Sequence, residues 1–314
     1  MSSGKELALQ INGNITDLFE IIKELYHGSS SIVYLGKYLK TGKIYAIKKL
    51  YWTFCPPRYF QEFKILRMCN NPNIIQGSRL FYKNNEEIYL ILQYFEHVPF
   101  PVTLNSFTPK LIYYYMKSLL NGLAYLHSKK IIHRNVKPTN FLFNPTLFTG
   151  KLIGFQNSCF EELKTTSSEE TNTQSSFPTF SVGTHGYKAP EVLLKSEVIT
   201  TAVDVWSAGV ILLTILTRRY PFFTCHDDLD SLCQIANIIG TEKLKEAAIE
   251  CHRQVVFPFD VKTTDLKLIV IAYNPRIFDL HLPDTIFDLL SKMLDPFPSK
   301  RITALEAIHH PYFT

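Results

Sequence analysis

Near Pro101 the period of the apolar residues changes, and this limits the chain to few folds. From about Phe19 to Phe95 they alternate or cluster in short β-rich runs: Ile32-Val33-Tyr34-Leu35, Ile44-Tyr45-Ala46-Ile47 and Ile88-Tyr89-Leu90-Ile91-Leu92. Turn-forming stretches, Lys40-Thr41-Gly42-Lys43 and Lys83-Asn84-Asn85-Glu86, divide the runs. One helix is predicted among them, roughly 57–69, with Pro57 near its start and Phe60, Phe63 and Met68 at helical spacing. Beyond Pro101 the period is helical. Residues 110–130 set Leu111, Tyr114, Tyr115, Leu119, Leu123 and Leu126 on one face, and 200–217, 228–239 and 285–294 continue the pattern. A strand period and a helix period bury different faces, so the expected fold is α+β. It has two lobes, a small β-rich one with one helix and a larger, mostly α-helical one, with a ligand cleft between.

Composition excludes several classes. With 46% hydrophobic and 19% charged residues the chain is a folded protein rather than a disordered one. The longest apolar stretch, 205–217, is too short for a bilayer, and the first thirty residues lack a basic start followed by an apolar run. We therefore expect a soluble intracellular protein with no membrane partner. The net charge of +5 is spread along the chain, with no basic patch interleaved with aromatics, so direct nucleic-acid binding is not predicted. Cys55, Cys69, Cys159, Cys225, Cys233 and Cys251 form no C-x-x-C pair and read as free thiols rather than a zinc site. His309 and His310, in the terminal His-His-Pro-Tyr-Phe, read as part of a packed C-terminus rather than a metal site. The stretch 157–182, rich in Ser and Thr and carrying Glu161, Glu162, Glu169 and Glu170, reads as a solvated loop.

The chemistry-bearing residues begin with His133-Arg134-Asn135-Val136-Lys137-Pro138-Thr139-Asn140, between the long amphipathic helix and the apolar run Phe141-Leu142-Phe143. In order and spacing this stretch resembles the H-R-D-x-K-x-x-N catalytic loop of eukaryotic protein kinases. Tyr45-Ala46-Ile47-Lys48 is similar to their V-A-I-K strand, and Ala189-Pro190-Glu191 matches A-P-E in the right order. The resemblance covers nearly the whole chain. It implies that Lys48 holds the α- and β-phosphates of ATP, with Glu62, the only acid in the predicted helix, as its ion-pair partner. It also implies that Val33, Ala46 and Leu142 sandwich the adenine and that Leu92 backs the hinge at 93–95. By the same likeness Leu66 would stack with Phe155 and His133, while Asp204, Trp206 and Gly209 anchor the loop. Arg301 would pair with Glu191, and Arg134 would receive a phosphate on the 157–182 loop. Thr184 and Lys137 are the contacting pair of serine/threonine kinases.

Within kinases the chain is similar to the cell division cycle seven kinases. Gln93-Tyr94-Phe95-Glu96-His97, Asn140-Phe141-Leu142-Phe143, Thr201-Ala202-Val203-Asp204-Val205-Trp206 and Arg219-Tyr220-Pro221-Phe222-Phe223 carry that likeness. It implies a nuclear serine/threonine kinase of cell-cycle and replication control, with protein substrates and a regulatory subunit. The long inserts that help bind such a subunit are shortened or absent. The expected layout is an N-terminal extension over 1–17 and a kinase domain over 18–314. Its N-lobe would span about 18–95, its C-lobe about 96–314 and its activation segment about 154–191.

Three departures fall on the chemistry. Asn135 stands where the family places the Asp that accepts the substrate's proton, and an amide cannot accept one at neutral pH. Losing a general base commonly costs roughly 10²–10⁴ in rate. Asp-Phe-Gly reads Gly154-Phe155-Gln156, so the magnesium carboxylate is lost and Asn140 is left as the one familiar metal ligand. Of the three glycines over the phosphates only Gly28 remains, in Tyr26-His27-Gly28-Ser29-Ser30-Ser31-Ile32-Val33, and the Cβ atoms of Tyr26 and Ser31 restrict backbone approach. Glu161 or Glu162, folding back, is the acid that could stand in at the metal. ATP is thus the implied cofactor, while Mg²⁺ lacks its carboxylate. Three readings remain open: an impaired kinase or pseudokinase acting by nucleotide and partner binding, an active kinase with atypical metal and base residues, and a vestigial fold binding a partner through its surface.

Overall fold

The computed structural model describes residues 9–10, 13–28, 31–51, 56–83, 87–161 and 182–314. It divides into two compact units, Met1–His97 with Lys151–Gln156, and Val98–Gly150 with Asn157–Thr314.

The first unit is built on strands β1 (Leu9–Gln10), β2 (Phe19–His27), β3 (Ser31–Tyr38), β4 (Ile44–Tyr51), β5 (Gly77–Lys83) and β6 (Glu87–Gln93), with helix α1 (Pro56–Met68) between β4 and β5. Across the sheet the order is β1, β5, β6, β4, β3, β2. Only β1 pairs in parallel, Leu9 opposite Phe81, so a piece of the expected N-terminal extension serves as an edge strand. Strand alternation sends Ile47 into a cluster with Ile15, Phe19, Phe81, Tyr89 and Ile91, and its neighbour Lys48 to the opposite face. Residues 151–156 cluster with this unit because Leu152 is laced to its backbone. Leu152 donates N–H to Asn73 O at 2.8 Å and accepts from Ile75 N–H at 3.0 Å. In α1 the inward face carries Glu62, Phe63, Ile65 and Leu66 rather than the expected Phe60, Phe63 and Met68. Met68 is exposed because at about 100° per residue it lies well round from that stripe.

The second unit is helical: α2 (Phe100–Leu104), α3 (Pro109–Ser128), α4 (Pro190–Leu193), α5 (Ala202–Thr217), α6 (Asp228–Ile239), α7 (Thr241–Glu250), α8 (Leu266–Tyr273), α9 (Thr285–Met293) and α10 (Ala304–Ile308). Short strands β7 (Ile131–Ile132), β8 (Phe141–Asn144), β9 (Thr149–Leu152) and β10 (Cys159–Phe160) form two small ladders, β7 with β10 and β8 with β9. Helix α3 starts where Thr108 Oγ1 accepts the Leu111 N–H and Pro109 fills the first turn. Its buried face carries Ile112, Tyr115, Met116, Leu119, Leu120, Leu123 and Leu126. The expected Tyr114 is exposed and meets Phe148, and Leu111 is half-buried, since the stripe runs one residue further round. At the far end His310 is buried and its Nε2 lies 2.9 Å from Asp288 Oδ2, an acid that α9 brings from twenty-two residues away.

Helix α5 is buried on every side from Val203 to Thr217, as its predominantly apolar sequence requires, and the hydroxyls of Ser207, Thr214 and Thr217 bond to the helix backbone. It packs on α3, α8 and α9, and Gly209 permits the α9 approach. A Cβ there would stand 2.8 Å from Leu294 Cδ2 and 3.1 Å from Met293 Cβ. We expect Gly209→Val to overpack this contact by about 2 kcal/mol and lower the thermal midpoint by about 5 °C in a melting scan; an unchanged midpoint would show that α9 moves aside freely.

Among the described residues no helix is long and apolar enough to cross a membrane. Among the described residues Cys69, Cys159, Cys225, Cys233 and Cys251 form no disulfide, and Cys55 lies outside the described residues.

Candidate functional site

Four residues assigned to nucleotide in the first unit share one sheet face. Ala46 and Lys48 alternate onto the same side of β4, Val33 lies opposite Lys48 in β3, and Leu92 lies opposite Ala46 in β6. Lys48 Nζ donates to both carboxylate oxygens of Glu62, at 3.0 and 2.8 Å. Glu62 is almost wholly buried in α1, so water does not weaken the pair. A third bond runs from Lys48 Nζ to Gln156 Oε1 at 2.9 Å. An ammonium group has three N–H donors and no acceptor, so these three oxygens use all of them. Gln156 was given no role by sequence reasoning; the one signal was a long acceptor-bearing side chain where the family has glycine.

Gly154 takes φ +81° and offers no side-chain oxygen. Phe155 beside it is fully buried, as is Leu66, both within the first unit. At the hairpin between β2 and β3, Gly28 N–H donates to Ser31 O at 3.0 Å, and the Tyr26 ring folds over Gly28. A Cβ on Gly28 would lie 2.5 Å from the Tyr26 hydroxyl oxygen, so a side chain there would have to push the exposed ring aside. Ser29 and Ser30 lie outside the described residues.

In the second unit Asp204 organises the loop that follows α3. Its Oδ2 accepts the His133 N–H at 2.8 Å and lies 3.0 Å from His127 Nε2, while Oδ1 accepts the Arg134 N–H at 2.9 Å. Complete burial would by itself raise the Asp204 carboxyl, but the His127 bond, the neighbouring imidazoles and the His133 N–H outweigh it and hold the group below its ordinary value. The anchor is needed because Arg134 sits at φ +61°, a left-handed conformation unfavourable for arginine. His133 is fully buried.

Asn135 is held at three points. Its Oδ1 accepts the Thr184 hydroxyl at 2.9 Å, its backbone oxygen accepts Asn140 Nδ2 at 2.8 Å, and its N–H donates to His133 Nδ1 at 3.3 Å. The contact expected between Thr184 and Lys137 is replaced by this one. A neutral amide oxygen can accept a hydrogen bond from the hydroxyl but carries no charge to draw an ammonium. Lys137 accordingly has no partner among the described residues, and burial lowers its pKa. Arg134 Nε donates to Asn157 O at 2.6 Å, tying the start of the following segment. That segment, 162–181, lies outside the described residues, with Glu162, Glu169, Glu170 and any phosphate for Arg134. Leu142 is half-buried in β8.

Glu161 does not stand in for a metal carboxylate. Its Oε1 accepts the Thr201 N–H at 3.3 Å and its Oε2 pairs with Lys130 Nζ at 3.3 Å. Among the described residues no three His, Cys, Asp or Glu side chains converge to hold a metal ion. With Gly154 bare and Asn140 offering only one neutral amide oxygen, the donor set does not fit Mg²⁺, which prefers carboxylate oxygens. Further along, Arg301 grips Glu191 in a two-pronged buried pair, Nη1–Oε1 2.6 Å and Nη2–Oε2 3.0 Å.

A lysine–glutamate pair beneath a β-hairpin, an aspartate-anchored H-R-N-x-K-x-x-N loop and a buried glutamate–arginine lock together define the protein kinase class. The protein kinase domain family matches residues 19–313, and the chain belongs to it. "Probable cell division control protein 7 homolog 1" of Encephalitozoon cuniculi is 30% identical over 93% of this chain and 91% of its own length. "Cell cycle protein kinase spo4" of Schizosaccharomyces pombe is 30% identical over 85% of this chain and 72% of its own. "Cell cycle serine/threonine-protein kinase hsk1" of the same yeast is 31% identical over 93% of this chain and 65% of its own. Within the kinases, then, this is a homologue of the cell division cycle seven type of serine/threonine kinase.

Proposed function

We propose that this chain is a cell division cycle seven-type homologue in which phosphoryl transfer is lost or severely weakened, and which acts by binding nucleotide and a protein partner. The observation that carries this reading is the double replacement of carboxylates by Asn135 and Gly154 in a scaffold that keeps its structural ion pairs. Kinase catalysis is positioning plus electrostatic stabilisation, and both missing carboxylates belong to it. Lys48, Val33, Ala46 and Leu92 of the first unit would hold ATP, whose γ-phosphoryl group is what a working kinase transfers. The relatives' names support a role in the cell cycle, and with it we place the protein in the nucleus, in replication control, engaging a protein substrate or regulatory subunit.

A second reading, an active kinase with atypical metal and base residues, draws support from the intact Lys48–Glu62 pair, which active kinases need. A thermal-shift series separates the readings. ATP in EDTA, at about a hundred times its dissociation constant, should stabilise the protein by about 2.7 kcal/mol, and magnesium should add nothing. Stabilisation that requires magnesium would favour the active kinase. No stabilisation under either condition would leave the vestigial fold.

A further inference from the structure

Taking this chain as the nucleotide binder proposed above, we infer that Gln156 is an internal ligand of Lys48 that competes with phosphate and lowers the site's preference for nucleotide over nucleoside. Two of the three Lys48 N–H donors face the Glu62 carboxylate, at 3.0 and 2.8 Å, in a nearly dry setting. The third is the only one left for a ligand, and Gln156 Oε1 accepts it at 2.9 Å. All three partners belong to the first unit.

The carboxamide is held in place by its backbone. Gln156 follows Gly154, at φ +81°, and the fully buried Phe155, within the short 3₁₀ turn Phe155–Asn157. A phosphate oxygen bears more charge than an amide oxygen and is the stronger partner for an ammonium group. A phosphate can therefore displace Gln156, but it forfeits the displaced bond. A hydrogen bond to a charged group is worth enough to weaken phosphate binding at least about tenfold. A nucleoside has no phosphate to place at Lys48 and bears no such penalty.

The test is isothermal titration of the full chain in EDTA with adenosine, ADP and ATP, for the natural protein, Gln156→Ala and Gln156→Glu. Gln156→Ala frees the third donor, so ADP and ATP should bind about tenfold tighter while adenosine is unchanged. Gln156→Glu keeps the bond and adds a negative charge that repels phosphate, so ADP and ATP should bind at least about tenfold weaker, again with adenosine unchanged. The Glu variant carries the test if the Ala variant fails to fold. An ADP-to-adenosine affinity ratio equal in the natural protein and the folded variants overturns the role of Gln156 and leaves nucleotide binding standing. A change that falls on adenosine as much as on ADP also overturns it, since Gln156 would then shape the pocket as a whole. Failure of every protein to bind any of the three ligands overturns nucleotide binding itself, and the role of Gln156 with it.

Discussion

Asn135→Asp combined with Gly154→Asp is expected to raise phosphoryl transfer to a generic protein substrate by at least roughly 10²–10⁴ over the natural chain. The first change returns a carboxylate beside the Thr184 hydroxyl, 2.9 Å from the present amide oxygen, where it can accept a substrate proton. The second returns the carboxylate that magnesium requires. Position 154 can accept it, since at φ +81° aspartate is among the side chains that best tolerate a left-handed backbone, at a cost of roughly 1–2 kcal/mol. Neither single change should approach the pair, because residues acting in one transition state are strongly non-additive. Initial rates with radiolabelled ATP and magnesium read the result. If the doubly substituted protein stays at the natural rate, the two lost carboxylates are not what limits this chain.

Arg301→Met should be among the most damaging single substitutions for stability. It leaves Glu191 buried without the guanidinium that now contacts both its oxygens, at 2.6 and 3.0 Å. Stranding one member of a buried pair typically costs about 3–5 kcal/mol, or about 10 °C in thermal midpoint for a domain of this size. Arg301 also donates to Ala202 O and Asp295 O, so the loss reaches α5 and the turn after α9. Adding Glu191→Leu removes the stranded charge and should recover part of the midpoint. If the double variant melts below Arg301→Met, the damage lies in those two carbonyl contacts rather than in the unpaired carboxylate.

The fold was legible in the sequence wherever one period ran long enough. The runs at 32–35, 44–47 and 88–92 lie within β3, β4 and β6, and the 228–239 helix is α6, capped by Asp227. Which face a helix buries was harder to read. Met68 and Tyr114 are apolar enough to count in a stripe, yet neighbours such as Leu66 and Met116 outbid them for the interior. Strand β1 could not be read at all, since two residues have no period and a parallel partner seventy-two residues away leaves no local mark. The ion pairs were easier to anticipate, because Glu62 is the only acid in α1 and Arg301 stands in a motif. Two contacts escaped. Thr184 turns to Asn135 rather than Lys137 once the carboxylate is an amide, and Gln156 reaches Lys48 across 108 residues of chain. Both follow from substitutions that alter hydrogen-bond roles, which a motif read as present or absent does not record.

The loss of phosphoryl transfer is tested most directly by the rate at which the unaltered chain moves the γ-phosphate of radiolabelled ATP to a generic protein substrate at saturating nucleotide. The prediction is a rate at least about 10²-fold below the 1–100 s⁻¹ typical of working kinases, no faster with magnesium than in EDTA. A magnesium-dependent rate within that range would contradict it.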